Sequence, residues 1–401
     1  MNLLKIISLA LILIIGLNVS AQDNTEKKDT GYVFTNVKEL KTTSVKDQYR
    51  SGTCWSFSSI SFIESELMRM GKGEYDLSEM FVVRQSYIDK ADLYVRMHGS
   101  VNFAGGGAFH DITNCMKKYG VVPEEAYLGL EIGEKKHIHG EMDAVLKSFV
   151  DAIIKNPNRQ LTPVWKKAYS GILDAYLGKY PENFTYKGKN YTPQTFAKDL
   201  GVNPDDYIEI TSFTHHPFYS KFIMEVPDNW GLGEVYNVPL KEMEEIMDYA
   251  INNGYSIAWG ADVSEKGFSW KNGVAIVPEQ DIAVLNDLER SKWEALSEKD
   301  KEAALYKFEK PGKEKVITQE MRQEGFDNYN TGDDHGMHIT GIAKDQNGNQ
   351  YYIVKNSWNT EGNSYKGYFY ASKPYFLYKT MDFMVHKNGI PPAIRKKLGI
   401  N

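Results

Sequence analysis

The sequence predicts an α+β protein, on three observations. Apolar residues recur at helical spacing in several separate stretches along the chain. Near the C-terminal end, two short runs rich in β-branched and aromatic residues, 339–343 and 351–354, flank the turn-forming stretch Asp345-Gln346-Asn347-Gly348-Asn349. Helices in one region and a hairpin in another are the elements of an α+β protein. The third observation is size and balance. The chain has 401 residues, 42% hydrophobic and 25% charged, enough for a large core in one elaborated domain or two lobes.

Taken in order, the chain opens with a targeting pattern. Lys5 precedes an apolar run over 6–17, broken by Ser8 and Gly16, and Val19-Ser20-Ala21 offers small residues for cleavage before Gln22. That reads as a signal peptide over 1–21 and an exported product, periplasmic or secreted. The run is short for a membrane span, so none is expected after cleavage, and no cysteine follows to take a lipid anchor. A helix is expected from Cys54 onward and another over 111–119. Two more are expected at 141–154, carried by Met142, Val145, Leu146, Phe149 and Ile153, and at 163–177, with Pro163 near its start. A strand is expected over 207–213. The helix at 240–251 should stop at Asn252-Asn253-Gly254. Heavily charged residues over 281–308 read as exposed helices, and Gly399 should end a short helix over 393–398. The net charge of −6 argues against nucleic acid as a main partner. The pairs His137/His139 and His215/His216 lack Cys or carboxylates at ligand spacing, so they read as surface or loop histidines; no metal and no cofactor is expected.

The chemistry lies in Gln48-Tyr49-Arg50-Ser51-Gly52-Thr53-Cys54-Trp55-Ser56-Phe57-Ser58. A thiol at a helix N-terminus is favoured as thiolate, the nucleophilic form, and a nearby imidazolium favours it further. Gln48 can donate a side-chain N–H to an oxyanion beside the backbone N–H of Cys54. Far downstream, His335 precedes the hairpin and Asn356 follows it, so one sheet end can hold both. The imidazole would take the Cys54 proton and Asn356 would fix its orientation. His338 is the rival base. Cys115, the second of two cysteines, reads as a small apolar core residue, leaving no structural disulfide.

These motifs, with the Gly105-Gly106-Gly107 patch and Asn356-Ser357-Trp358, resemble the papain superfamily. The resemblance favours His335 over His338 as the base, because its pattern has an acidic residue where Asp334 stands and a glycine six residues after the base, where Gly341 falls. The separation of 281 residues between Cys54 and His335 exceeds the usual value of about 130–150 and implies an insertion. The segments Tyr191-Thr192-Pro193-Gln194-Thr195-Phe196 and Gly254-Tyr255-Ser256-Ile257-Ala258-Trp259-Gly260-Ala261-Asp262-Val263, together with His335-Gly336-Met337 and Ile339-Thr340-Gly341, resemble its bleomycin hydrolase and aminopeptidase C branch. The resemblance implies a papain-like two-lobed fold, a helical lobe plus an antiparallel β lobe, with helical insertions. It implies one peptidase domain over 22–401, with a mainly helical insertion at about 128–245 and a C-terminal arm at about 386–401 that lies in the cleft. It also implies peptide substrates and, as often in the branch, a barrel-shaped homohexamer. Cys54, His335, Asn356 and Gln48 would be catalytic; Gly105, Gly106, Gly107, Trp55 and Asn401 would bind substrate. The expected activity is that of an exported cysteine aminopeptidase. A papain-like endopeptidase is the first alternative and an inactive papain-fold binding protein the second.

Overall fold

The computed structural model describes residues 31–400 other than 159, 281, 283 and 284. The expected signal peptide at 1–21 and the expected substrate contact at Asn401 therefore lie outside the described residues.

One lobe is helical. Its helices are Cys54–Arg69, Glu79–Arg96, His110–Lys118, Gly140–Ile154, Val164–Leu177 and Pro193–Leu200. They enclose a core that includes Phe62, Ile63, Phe81, Ile112, Leu146 and Leu173. The Cys54–Arg69 helix is buried on every side from Trp55 to Leu67, so it runs through the middle of the molecule. Glu79–Arg96 had no counterpart in the sequence reading. Its first half is buried all round, which erases the amphipathic stripe by which a surface helix is recognised. Its start is nevertheless capped, since Ser78 Oγ accepts from the Phe81 N–H at 3.0 Å.

The other lobe is built on an eleven-stranded mixed sheet. At its centre Thr380–His386, Ile257–Ala261, His335–Asp345 and Gln350–Lys355 lie side by side, all antiparallel. The hairpin expected around 339–354 is present and longer. Asp345 Oδ1 accepts from the N–H groups of Asn347 and Asn349, both at 2.9 Å, and Gly348 adopts φ +86°, a conformation that suits glycine. A bulge between Ile339 and Gly341 accompanies the close passage of Phe34–Glu39. A Cβ on Gly341 would meet Lys38 O at 2.3 Å.

The region 128–245 is less helical than expected. Besides four of its helices it contains the small hairpin Phe184–Tyr186 with Lys189–Tyr191, and the strands Tyr207–Thr211, Lys221–Ile223 and Glu234–Asn237, which extend the main sheet. Strands of three to five residues are too short to show a period. The charged stretch forms Asp287–Glu294 and Glu298–Leu305, neither with a buried residue. Among the described residues no helix is long and apolar enough to cross a membrane.

Candidate active site

The two lobes meet where the helical lobe presents the start of its central helix to the start of strand His335–Asp345. Cys54 is the first residue of that helix. Thr53 supplies no side-chain cap, but its carbonyl accepts from the N–H groups of Ser56 and Phe57. Gly336 on the strand lies against this helix start; a Cβ there would come within 2.8 Å of Ser58 Oγ and 3.3 Å of Trp55 N. Only a residue without a side chain permits so close an approach, and it delivers the preceding residue, His335, to the same pocket that Cys54 lines.

His335 Nε2 lies 2.7 Å from Asn356 Oδ1, and Trp358 stacks on the imidazole with centroids 4.6 Å apart. Asn356 Oδ1 also accepts from the Ser357 N–H at 2.8 Å, which fixes the amide so that its oxygen, not its nitrogen, faces the ring. Nε2 must then carry the hydrogen, and Nδ1 is the nitrogen left for proton transfer. His338 lies three residues on and therefore on the opposite face of the strand. It is buried against the central helix, Nδ1 2.9 Å from Ser61 Oγ, and does not line the pocket of Cys54.

Gln48 is buried and doubly held by Ser357: its backbone N–H donates to Ser357 O at 2.9 Å, and its Oε1 accepts from Ser357 Oγ at 2.6 Å. With the oxygen so occupied, the amide nitrogen is the end available to a substrate. Ser357 and Trp358 stand out in the sequence only as part of a motif, yet each touches a residue of the site.

Burial pushes the Cys54 thiol up to about 12, while the backbone at Gly336 pulls it down and Asp333 and Asp228 push it further up. Burial also lowers His335, against the raising effects of Asn356 and Asp334. Burial thus disfavours the charged form of each group. Moving the proton from one to the other creates two opposite charges in a poorly screened pocket, where their attraction offsets both desolvation costs.

The glycine patch is closely packed rather than open. Gly105 faces Ser51 O, Gly107 faces the Trp55 ring and Asp111, and Gly106 is covered by the Asp228 carboxylate, with a Cβ on it falling 1.9 Å from Oδ2. Trp55 Nε1 donates to Gly105 O at 3.0 Å, and Lys90 Nζ donates to the carbonyls of Ala104 and Gly106 at 2.7 and 2.6 Å. The C-terminal arm lies elsewhere. Helix Pro392–Leu398 buries Ile394 and Leu398 in the β-lobe core, which also holds Met243 and Met247, Lys397 pairs with Glu242 at 2.5 Å, and no described arm residue lines the Cys54 pocket.

Cys115 is buried and both cysteines are free. The histidine pairs are not simple surface residues. His139 is 3% exposed and its loop hydrogen-bonds to Arg50, beside the nucleophile segment. His215 and His216 both reach Glu225, at 2.9 and 3.1 Å, a carboxylate distant enough in sequence to have been overlooked.

A family model described as papain family cysteine protease matches residues 34–151 and 301–380. Aminopeptidase G of Lactobacillus delbrueckii subsp. lactis is 24% identical, across 87% of this chain and 82% of its own. Aminopeptidase C of Listeria monocytogenes is 23% identical, across 96% and 88%. The crystal structure of pepw from Lactobacillus rhamnosis shares the fold, with a TM-score of 0.68 at 19% identity, over 91% of this chain and 84% of that one. Such relatives are intracellular enzymes, which overturns the export, periplasmic or secreted, expected from residues 1–21.

Proposed function

We propose, from the premise that the chain belongs to the papain family of cysteine proteases in its bleomycin hydrolase and aminopeptidase C branch and is a cysteine-type peptidase, that it removes residues from free peptide N-termini through Cys54, His335, Asn356 and Gln48. The observation that carries this reading is the convergence of Cys54 and His335 on one pocket, with His335 held by Asn356 at 2.7 Å and Gln48 held by Ser357.

In this reading the Cys54 proton passes to His335 Nδ1 as Sγ bonds to the scissile carbonyl carbon. The oxyanion takes hydrogen bonds from the Cys54 N–H and the Gln48 amide. Collapse breaks the C–N bond, and the imidazolium gives its proton to the leaving amine. Water, deprotonated by His335, then splits the thioester. Substrate contact at Trp55 belongs to the same reading, as does a peptidase domain with an insertion at about 128–245 and an arm at about 386–401 that packs on the β lobe, so the contact expected at Asn401 is not carried into it. So does assembly as a homohexamer, for which light scattering should give six chain masses.

The test compares alanyl-aminomethylcoumarin with its N-acetyl form. The free amine should be cleaved at least ~100-fold faster, and Cys54→Ala should abolish cleavage of both. Equal rates on the two substrates would sink the aminopeptidase reading in favour of the endopeptidase one; full activity in Cys54→Ala would sink the nucleophile.

A further inference from the structure

The pocket wall facing Cys54 is acidic, and three of its carboxylates come from parts of the chain to which the sequence reading gave no role. Glu209 lies on strand Tyr207–Thr211, Asp228 between strands Lys221–Ile223 and Glu234–Asn237, and Asp382 on strand Thr380–His386. Asp333 and Asp334 complete the set beside His335. Glu209 is only 6% exposed. Its Oε2 accepts from His110 Nδ1 at 3.1 Å, but its Oε1 is buried with no hydrogen-bond partner. A buried carboxylate oxygen without a donor is unfavourable, so this atom marks a place for a donor that a ligand would bring.

Asp228 supplies the second point. Its Oδ1 accepts one long bond from Asn102 Nδ2, at 3.3 Å, and its carboxylate covers Gly106. The direction of a bound peptide follows from the proton transfers. His335 must protonate the leaving amine, so the leaving chain lies over His335 and Trp358. The acyl side then points the other way, along Gly107 toward Gly106. A peptide continuing in that direction meets Asp228, whereas one that ends there presents a cation to it.

We propose that Asp228 and Glu209 form the receptor for the α-ammonium of the substrate's N-terminal residue, and that Asp228 also stops longer or blocked chains from threading along the glycine patch. This rests on the aminopeptidase reading above and assigns its specificity to the inserted segment. A Lys or Arg side chain would bring the same cationic chemistry, and the test separates the two sources.

Four substrates serve as probes of the whole chain: alanyl-aminomethylcoumarin, its N-acetyl form, an N-acetyl-alanyl-alanyl form and an N-acetyl-lysyl form. Asp228→Asn keeps the shape and removes the charge. It should lower kcat/KM for the free alanyl substrate by ~100-fold, mostly through KM, while Cys54 labelling by iodoacetamide is not slowed, since losing the Asp228 charge favours the thiolate. Glu209→Gln should act in the same direction by ~10-fold and serves as the reading if Asp228→Asn does not fold, folding being checked by thermal melts. Asp228→Ala should open the patch, so that the acetylated dipeptide substrate gains at least ~10-fold. Unchanged discrimination between free and acetylated alanine in both charge-neutral variants overturns the proposal while leaving the aminopeptidase reading standing. A loss confined to the lysyl substrate also overturns it, since the wall would then read a side chain. Only a wild-type enzyme indifferent to acetylation would remove the underlying reading itself.

Discussion

Cys54 is pulled in two directions. Its position at a helix start and the Gly336 backbone favour thiolate, but burial outweighs them and leaves the isolated thiol near 12. An imidazolium at His335 must make up the difference, so His335→Ala should slow iodoacetamide labelling of Cys54 at pH 7 by at least ~100-fold and move its pH midpoint upward. A labelling rate unchanged by that substitution would show that the helix alone activates the thiol. His338→Ala should behave differently. It empties a buried site and leaves Ser61 Oγ with Lys355 Nζ alone, so a melt should report a loss of about 2–3 kcal/mol with kcat within a few-fold of wild type; the reverse ranking of the two histidines would reassign the base. Ser357→Ala should lower kcat by ~10-fold by freeing the Gln48 amide to turn, whereas Gln48→Ala should cost about 100–1000-fold. A Ser357→Ala enzyme with normal kcat would mean that packing alone holds Gln48. At this scale the sequence exposed the residues with distinctive chemistry and motif spacing. It could not expose Asp228 or Glu209, two carboxylates among 53 acidic residues, because nothing local tells a carboxylate that borders the cleft from a solvated one.

The elements that place the site are joined by buried polar links with consequences for stability. Glu314 ties the segment after strand Val274–Ala275 to the end of strand Tyr368–Ser372, its Oε2 accepting from the Val277 N–H at 2.7 Å and from Ser372 Oγ at 2.6 Å. Burial raises its carboxyl from 4.5 to about 7, partly offset by those two donors. Because the folded value lies above the unfolded one, its contribution is full below about pH 4.5 and is lost as pH rises through about 7. Glu314→Gln should therefore flatten the fall in melting temperature over that window; an unaltered pH slope would show that the carboxyl ionises as freely folded as unfolded. Helices with a clear apolar stripe, such as Gly140–Ile154 and Leu240–Asn252, were found from sequence within a residue or so at each end. Glu79–Arg96 and the short strands of the insertion were not, since full burial removes the stripe and three residues make no period.

At the scale of the molecule the C-terminal helix is a strut. Truncation before Pro392 exposes the pockets of Ile394 and Leu398 and should cost about 2–5 kcal/mol while leaving the preference for free N-termini intact. Loss of that preference in a still-folded truncation would return the arm to the cleft. The acidic wall reaches Cys54 only because strand Thr380–His386 pairs with Tyr207–Thr211 on one side and Ile257–Ala261 on the other, bringing three distant segments together.

The sequence by itself determined the α+β class, the papain-like kinship and the four residues proposed for catalysis, because those depend on local patterning and on rare residue types at fixed spacing. Tertiary structure alone decided where the arm packs, since that depends on which lobe surface is left apolar. It also decided which carboxylates border the cleft. Desolvation and donor supply are set by atoms far apart in the chain, and they meet only when the sheet closes around the central helix.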